Sequence, residues 1–140
     1  MCVTGCNVIE SATHLFLHCN TFSALWSYVQ TWLGIYSVFP GELRRHFIHF
    51  TRMSGLPRLV HLFLTVIWFA TIWVTWKEHN DRVFQNTTTT SSILLEKVKL
   101  NSFLWLKSKE ATLAYSYHDW WKHPLLCIGD SCNYVSLLTL

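Results

Sequence analysis

Residues 2–19 read CVTGCNVIESATHLFLHC and bring three cysteines and a histidine into one short stretch. The spacing is Cys-x3-Cys-x7-His-x4-Cys. Three thiolates and one imidazole form the tetrahedral sulfur and nitrogen shell that structural zinc prefers. The pattern therefore predicts a zinc knuckle over residues 1–19. The four candidate ligands are Cys2, Cys6, His14 and Cys19.

Two features of the backbone decide whether these side chains can meet. Gly5 lies between the first two cysteines and can adopt the left-handed backbone that turns both thiols inward. His14 and Cys19 are five residues apart, and five residues of regular α-helix rotate by roughly 140°. Both reach one ion only if the helix ends or loosens before Cys19. His18 shares the helical face of His14 and is the competing fourth ligand, but Cys19 is preferred because small zinc sites are commonly rich in cysteine.

Two other interpretations of the cysteines stay open at this point. They are ordinary small apolar residues, or two of them form a disulfide. The chain has five cysteines, an odd number, and no basic segment with a long apolar run begins it as in a secretory signal. A reducing compartment fits best, so we expect a nuclear or cytoplasmic protein rather than a secreted one.

Composition predicts one folded domain. Of the 140 residues, 51% are hydrophobic and 14% are charged, so the chain can bury a core and is not expected to be disordered. The net charge of +3 is too small to indicate a nucleic-acid partner by itself.

Helical periodicity covers most of the chain. Apolar residues recur every three or four positions over 21–33, with Gly34 as the stop signal, and again over 43–50 in a basic amphipathic segment. A further helix is expected after Ser92. These patterns predict an all-α fold: a small helical domain with the knuckle at its N-terminus.

The most apolar segment is Leu59–Trp76, which carries no formal charge. Its 18 residues reach the lower end of a membrane-spanning length, and Trp76 stands where an interfacial anchor would. Tryptophans and threonines within the run instead favour the core helix of a soluble domain. A soluble domain is therefore preferred, and the alternative is a small membrane protein with a single span at about 59–76. A membrane is accordingly the less favoured partner.

Several blocks of the chain, in order, resemble the zinc-binding domain attached to the reverse transcriptases of plant LINE-type (non-LTR) retrotransposons. The segment 72–84 is similar to that family's Trp-Lys-Glu-Arg-Asn-x-Arg-x-Phe helix end. The other matching residues are Cys2, Cys6, Glu10-Ser11, His14-Leu15-Phe16, Cys19, Trp26, Trp32-Leu33, Ser102 to Lys107 and Trp120 to Cys127.

Two departures from the family pattern stand out. Three residues rather than two separate Cys2 from Cys6, and His79 stands where the family has arginine. Neither removes a ligand. The family's domain follows a long polymerase, whereas here Met1 directly precedes the first ligand, so the chain is expected to be a truncated remnant.

The resemblance implies a domain over 1–127, with the knuckle at 1–19, a helical core at 20–110 and a tail at 128–140. It implies a Zn²⁺ cofactor and an accessory role, holding an RNA template or a DNA target for a polymerase domain. No paired aspartates of a polymerase site are present, so we expect no enzyme activity.

Four arginines are candidate phosphate contacts for such a strand, and a solvated helix face is the simpler interpretation of them. They are Arg44, Arg45, Arg52 and Arg58.

The tail contains a second possible metal set, whose spacing matches no zinc pattern. An aromatic segment packed on the helical core is the preferred interpretation. The set is His118, His123, Cys127 and Cys132.

Overall fold

The computed structural model describes residues 2–6, 9–35, 37–53, 56, 58–109 and 116–124, and every regular element within these ranges is a helix. The predicted all-α class is confirmed for this part of the chain. Residue 110, the tail at 128–140, Cys127 and Cys132 lie outside the described residues. The elements are a π-helix His14–His18, α1 Asn20–Leu33, α2 Leu43–Thr51, α3 Arg58–Phe84, α4 Ser91–Lys109 and α5 Tyr117–Lys122.

Helix α1 follows its apolar periodicity closely. Phe22, Leu25 and Val29 are fully buried along one face of the helix, and this apolar face packs against the core. Gly34 ends the helix at φ +70°, and its N–H donates back to the carbonyls of the last turn. This left-handed residue is the predicted stop signal, because glycine adopts positive φ without steric cost.

Helix α3 is the central element and, at 27 residues, is about 40 Å long. It contacts α1, α2 and α4. Two of its hydroxyls are satisfied within the helix, since Thr65 donates to the carbonyl of His61 and Thr71 to that of Ile67. It is long and apolar enough to cross a membrane, but 56% of its most apolar window is buried inside the protein.

The described side chains form two separate apolar clusters. The larger one is built from α1 to α5 and includes Trp120, which is fully buried. Trp120 packs edge-on against Trp32 of α1, and its indole N–H lies 3.1 Å from the hydroxyl of Ser102 in α4. The smaller cluster joins Cys2, Leu15, Cys19 and Phe22. The residues around the candidate ligands thus have a small core of their own.

Candidate metal centre

The first two candidate ligands lie on a tight turn. The N–H of Gly5 donates to the carbonyl of Cys2 at 3.1 Å, and Gly5 has φ +81°. A side chain would be strained in this left-handed conformation. The turn directs the thiols of Cys2 and Cys6 toward the same point, as expected from the glycine between them.

The other two candidate ligands are brought together by a π-helix. The N–H of Cys19 donates to the carbonyl of His14 at 2.6 Å, which is an i→i+5 bond. Such a wider turn brings residue i+5 closer to the face of residue i, whereas a regular α-helix would separate the two by roughly 140°. Cys19 itself is extended (φ −62°, ψ 124°) and ends the element. The helix therefore loosens before Cys19, as the predicted site requires.

The four ligand atoms of Cys2, Cys6, His14 and Cys19 all lie within 4.8 Å of one another. The sulfurs of Cys2 and Cys19 are 3.6 Å apart, and Cys6 Sγ is 3.1 Å from His14 Nε2. Zinc bonds of about 2.3 Å to sulfur and 2.0–2.1 Å to nitrogen give tetrahedral edges of about 3.8 and 3.6 Å. The Cys2–Cys19 separation is close to such an edge and the Cys6–His14 separation is shorter, so the four residues form a cluster that could hold one metal ion.

The disulfide alternative for these cysteines does not describe the arrangement. The three thiols are free, and a sulfur separation of 3.6 Å is much longer than the roughly 2.05 Å of a disulfide. Cys2, Cys19 and His14 are buried and Cys6 is half-buried. A sheltered cluster of three thiols and an imidazole could bind a metal ion.

His18 does not belong to this cluster. Its side chain is exposed, and its Nε2 lies 2.7 Å from the carbonyl oxygen of Gly41. The contact ties the end of the π-helix to the segment that precedes α2. The structure therefore places Cys19, rather than His18, beside the other three candidate ligands.

A hydroxyl that sequence reasoning missed lies among the thiols. Thr4 Oγ1 is 3.2 Å from Cys2 Sγ, 3.1 Å from Cys19 Sγ and 3.6 Å from Cys6 Sγ. A hydroxyl has one proton to donate, so it can stabilise one thiolate at a time. The available signal was the position of Thr4 between two cysteines on one turn.

Glu10 ties the turn to the central helix. One of its carboxylate oxygens accepts from the N–H of Val3 at 3.2 Å, and the other contacts Nε2 of His79 in α3. The imidazole of His79 is stacked on Trp76 at 5.4 Å and is thereby held in place. Glu10 and His79 belong to two separate sequence blocks, and only the fold brings them together.

The four arginines do not form one surface beside the knuckle. Arg44 and Arg45 are exposed near the start of α2, close to the contact between His18 and Gly41, and Arg45 pairs with Glu42 at 3.0 Å. Arg52 and Arg58 line a cavity of about 760 Å³ at the start of α3. Most of the length of α3, roughly 30 Å, separates Arg58 from His79, which lies beside the turn that carries Cys2 and Cys6. Only the first two arginines adjoin the knuckle.

No model of a protein family matches the sequence, and no curated protein or solved structure is similar to it. The candidate site therefore stands on its own geometry: four residues, predicted from spacing, that surround one point and could hold a metal ion.

Proposed function

We propose that the chain is a zinc-binding accessory domain, similar to that of retroelement reverse transcriptases, that holds an RNA or DNA strand. The observation that carries the proposal is the cluster of three thiols and one imidazole at the spacing of a tetrahedral site. Soft thiolate ligands with tetrahedral geometry favour zinc over the hard cations, which prefer oxygen.

The proposed ion has a structural role. Four protein ligands complete a tetrahedral shell and leave no open position for substrate, which is the arrangement of structural rather than catalytic zinc. The ligands would be Cys2 and Cys6 from the turn, His14 from the π-helix and Cys19 from its end. When bound, the ion cross-links these segments, and Thr4 supplies a hydrogen bond to a neighbouring thiolate.

The nucleic-acid part of the proposal rests on the cations next to the knuckle. Arg44 and Arg45 are exposed there, although Arg45 is partly neutralised by Glu42. Few phosphates would be contacted, so binding should be weak, without strong sequence preference and only moderately sensitive to salt. A nuclear or cytoplasmic location and a polymerase partner belong to the same proposal, and we assign no catalytic role to the chain.

Metal analysis of the reduced, purified protein tests the zinc site. We expect one zinc per chain, lost on treatment with a strong chelator. Cys19→Ser should lower zinc affinity and loosen the start of α1, because metal binding in small sites is coupled to folding. The matched control is His18→Ala, one residue away but outside the cluster, which should keep full stoichiometry. A zinc content near zero in the reduced wild type would refute the assignment.

A further inference from the structure

A second site lies on the opposite surface of α1, between α1, α4 and α5. It is an open pocket of about 510 Å³, within the range of small-molecule and nucleotide sites. Its lining combines aromatic rings, hydroxyls and lysines, and none of the described lining residues is acidic. The lining residues are Ser27, Tyr28, Thr31, Trp32, Leu95, Lys99, Trp121 and Lys122.

The aromatic walls of this pocket are held in place by their polar edges. The indole N–H of Trp32 donates to the carbonyl of Trp121 at 2.9 Å, and the indole N–H of Trp121 donates to Glu96. Trp121 and Tyr28 are still 36% and 43% exposed. The ring of Trp121 is also stacked on His118 at 6.2 Å, so the surface left for a flat aromatic ligand is the exposed part of Trp121 together with Tyr28.

Lys99 supplies a positive charge at the base of the pocket. Its side chain is only 9% exposed, and its ammonium lies 4.5 Å from the Trp121 ring and 5.6 Å from the Trp32 ring. Lys99 forms an ion pair with Glu96, whose carboxylate lies 3.6 Å away and partly neutralises the ammonium, although this distance is longer than a hydrogen bond. Among the described residues, the ammonium therefore has donors left for an anionic ligand. Lys122 adds a second, exposed cation at the rim.

Exposed rings beside two lysines and several hydroxyls match the chemistry of a nucleotide. A base stacks on an indole face, and a phosphate accepts from ammonium groups. We propose that this pocket binds one unpaired nucleotide of a single-stranded nucleic acid, with the base on Trp121 and Tyr28 and the phosphate at Lys99 and Lys122. The inference deepens the proposed function, since it names the surface that holds the strand.

The pocket favours a strand over a free nucleotide because it is open to solvent and its described lining offers two cations. One stacked base and one phosphate give weak binding, and further nucleotides along the strand raise the affinity through additional contacts to the surface. The pocket is also distinct from the four arginines of the sequence analysis, none of which lines it.

The test is fluorescence anisotropy of a labelled oligouridylate 12-mer with zinc-loaded protein at low salt. Trp121→Leu should weaken binding about tenfold, and Trp121→Phe should restore most of the affinity because a phenyl ring still stacks. Trp73→Leu is the matched control, since Trp73 is 47% exposed on α3 and outside this pocket. Lys122→Ala should weaken binding and reduce the salt slope by about 0.7, the share of one phosphate contact on a single strand.

The variants separate the pocket assignment from the accessory-domain proposal. If the wild type binds the 12-mer and both Trp121→Leu and Lys122→Ala bind it equally well, the pocket assignment is wrong and the accessory-domain proposal stands. Lys122 is exposed, so the Lys122→Ala variant should fold like the wild type. If uridine monophosphate competes as well as the 12-mer, the site takes a free nucleotide and not a strand. If the zinc-loaded wild type binds no oligonucleotide, both proposals fail.

Discussion

His46 of α2 is expected to make the domain less stable in mild acid. Its side chain is 4% exposed, and its Nδ1 accepts a hydrogen bond from the indole N–H of Trp68 at 3.0 Å. The imidazole lies 4.4 Å from the Trp26 ring and is stacked on Phe50. Protonation of Nδ1 would remove the acceptor and leave a charge among aromatic rings.

The size of the effect follows from the pKa. Burial, and then the charge of nearby His49, lower the pKa of His46 from 6.5 to about 4. Because its pKa is lowered in the folded state, His46 binds a proton more readily in the unfolded chain. Its contribution to the free energy of unfolding is therefore fully present above pH 6.5 and is lost as the pH falls toward 4. The full shift corresponds to about 3 kcal/mol, of which about 2 kcal/mol at most is lost by pH 5.

Urea unfolding at pH 7.5 and pH 5.0 measures this loss. Release of the proposed zinc ion would also destabilise the protein in acid. The wild type is therefore compared with His46→Asn, whose amide oxygen can still accept from Trp68 but does not titrate. We expect the free energy of unfolding to fall by about 1–2 kcal/mol more in the wild type than in the variant. Parallel pH dependences would refute the assignment of a neutral, buried His46.

Two further predictions concern α3. Arg82 pairs at 2.9 Å with Glu78, whose side chain is 1% exposed, so Arg82→Met leaves a buried carboxylate without its cation and should cost about 3–5 kcal/mol in urea unfolding. The control is Arg45→Met in the exposed pair with Glu42, which should cost less than about 1 kcal/mol; equal losses would contradict the buried pairing. More than half of the apolar window of α3 is buried, so the protein should also be released from the membrane fraction by alkaline carbonate. Retention of the protein until detergent is added would favour the single-span alternative.

Local patterns were sufficient for the helices and for the choice of candidate ligands. Helix α1 was predicted at 21–33 and begins one residue earlier, because three- and four-residue periodicity and a glycine stop are properties of the segment itself. The third helix was predicted over 59–76, and it runs from Arg58 to Phe84. Cysteine and histidine spacing likewise identified four residues that the structure brings together.

Contacts between distant segments could not be predicted from local sequence patterns. Spacing required a break before Cys19, but the π-helix depends on how Leu15 and Phe22 pack in the small core around the ligands. The pairing of Glu10 with His79 joins residues 69 positions apart. The pair of Glu78 and Arg82 is largely shielded from water, with side chains 1% and 11% exposed, and Arg82 also lies 5.1 Å from the Phe22 ring of α1.

The sequence by itself determined the helical class, the helix that forms the centre of the core and the residues that can ligate a metal, because periodicity, glycine stops and ligand chemistry are local. Only the tertiary structure decided which surfaces meet. Trp32, Lys99 and Trp121 line one pocket but belong to three different helices, and no spacing along the chain encodes the approach of these helices. Burial of apolar faces in a shared core sets that approach, since each face leaves water only against the others.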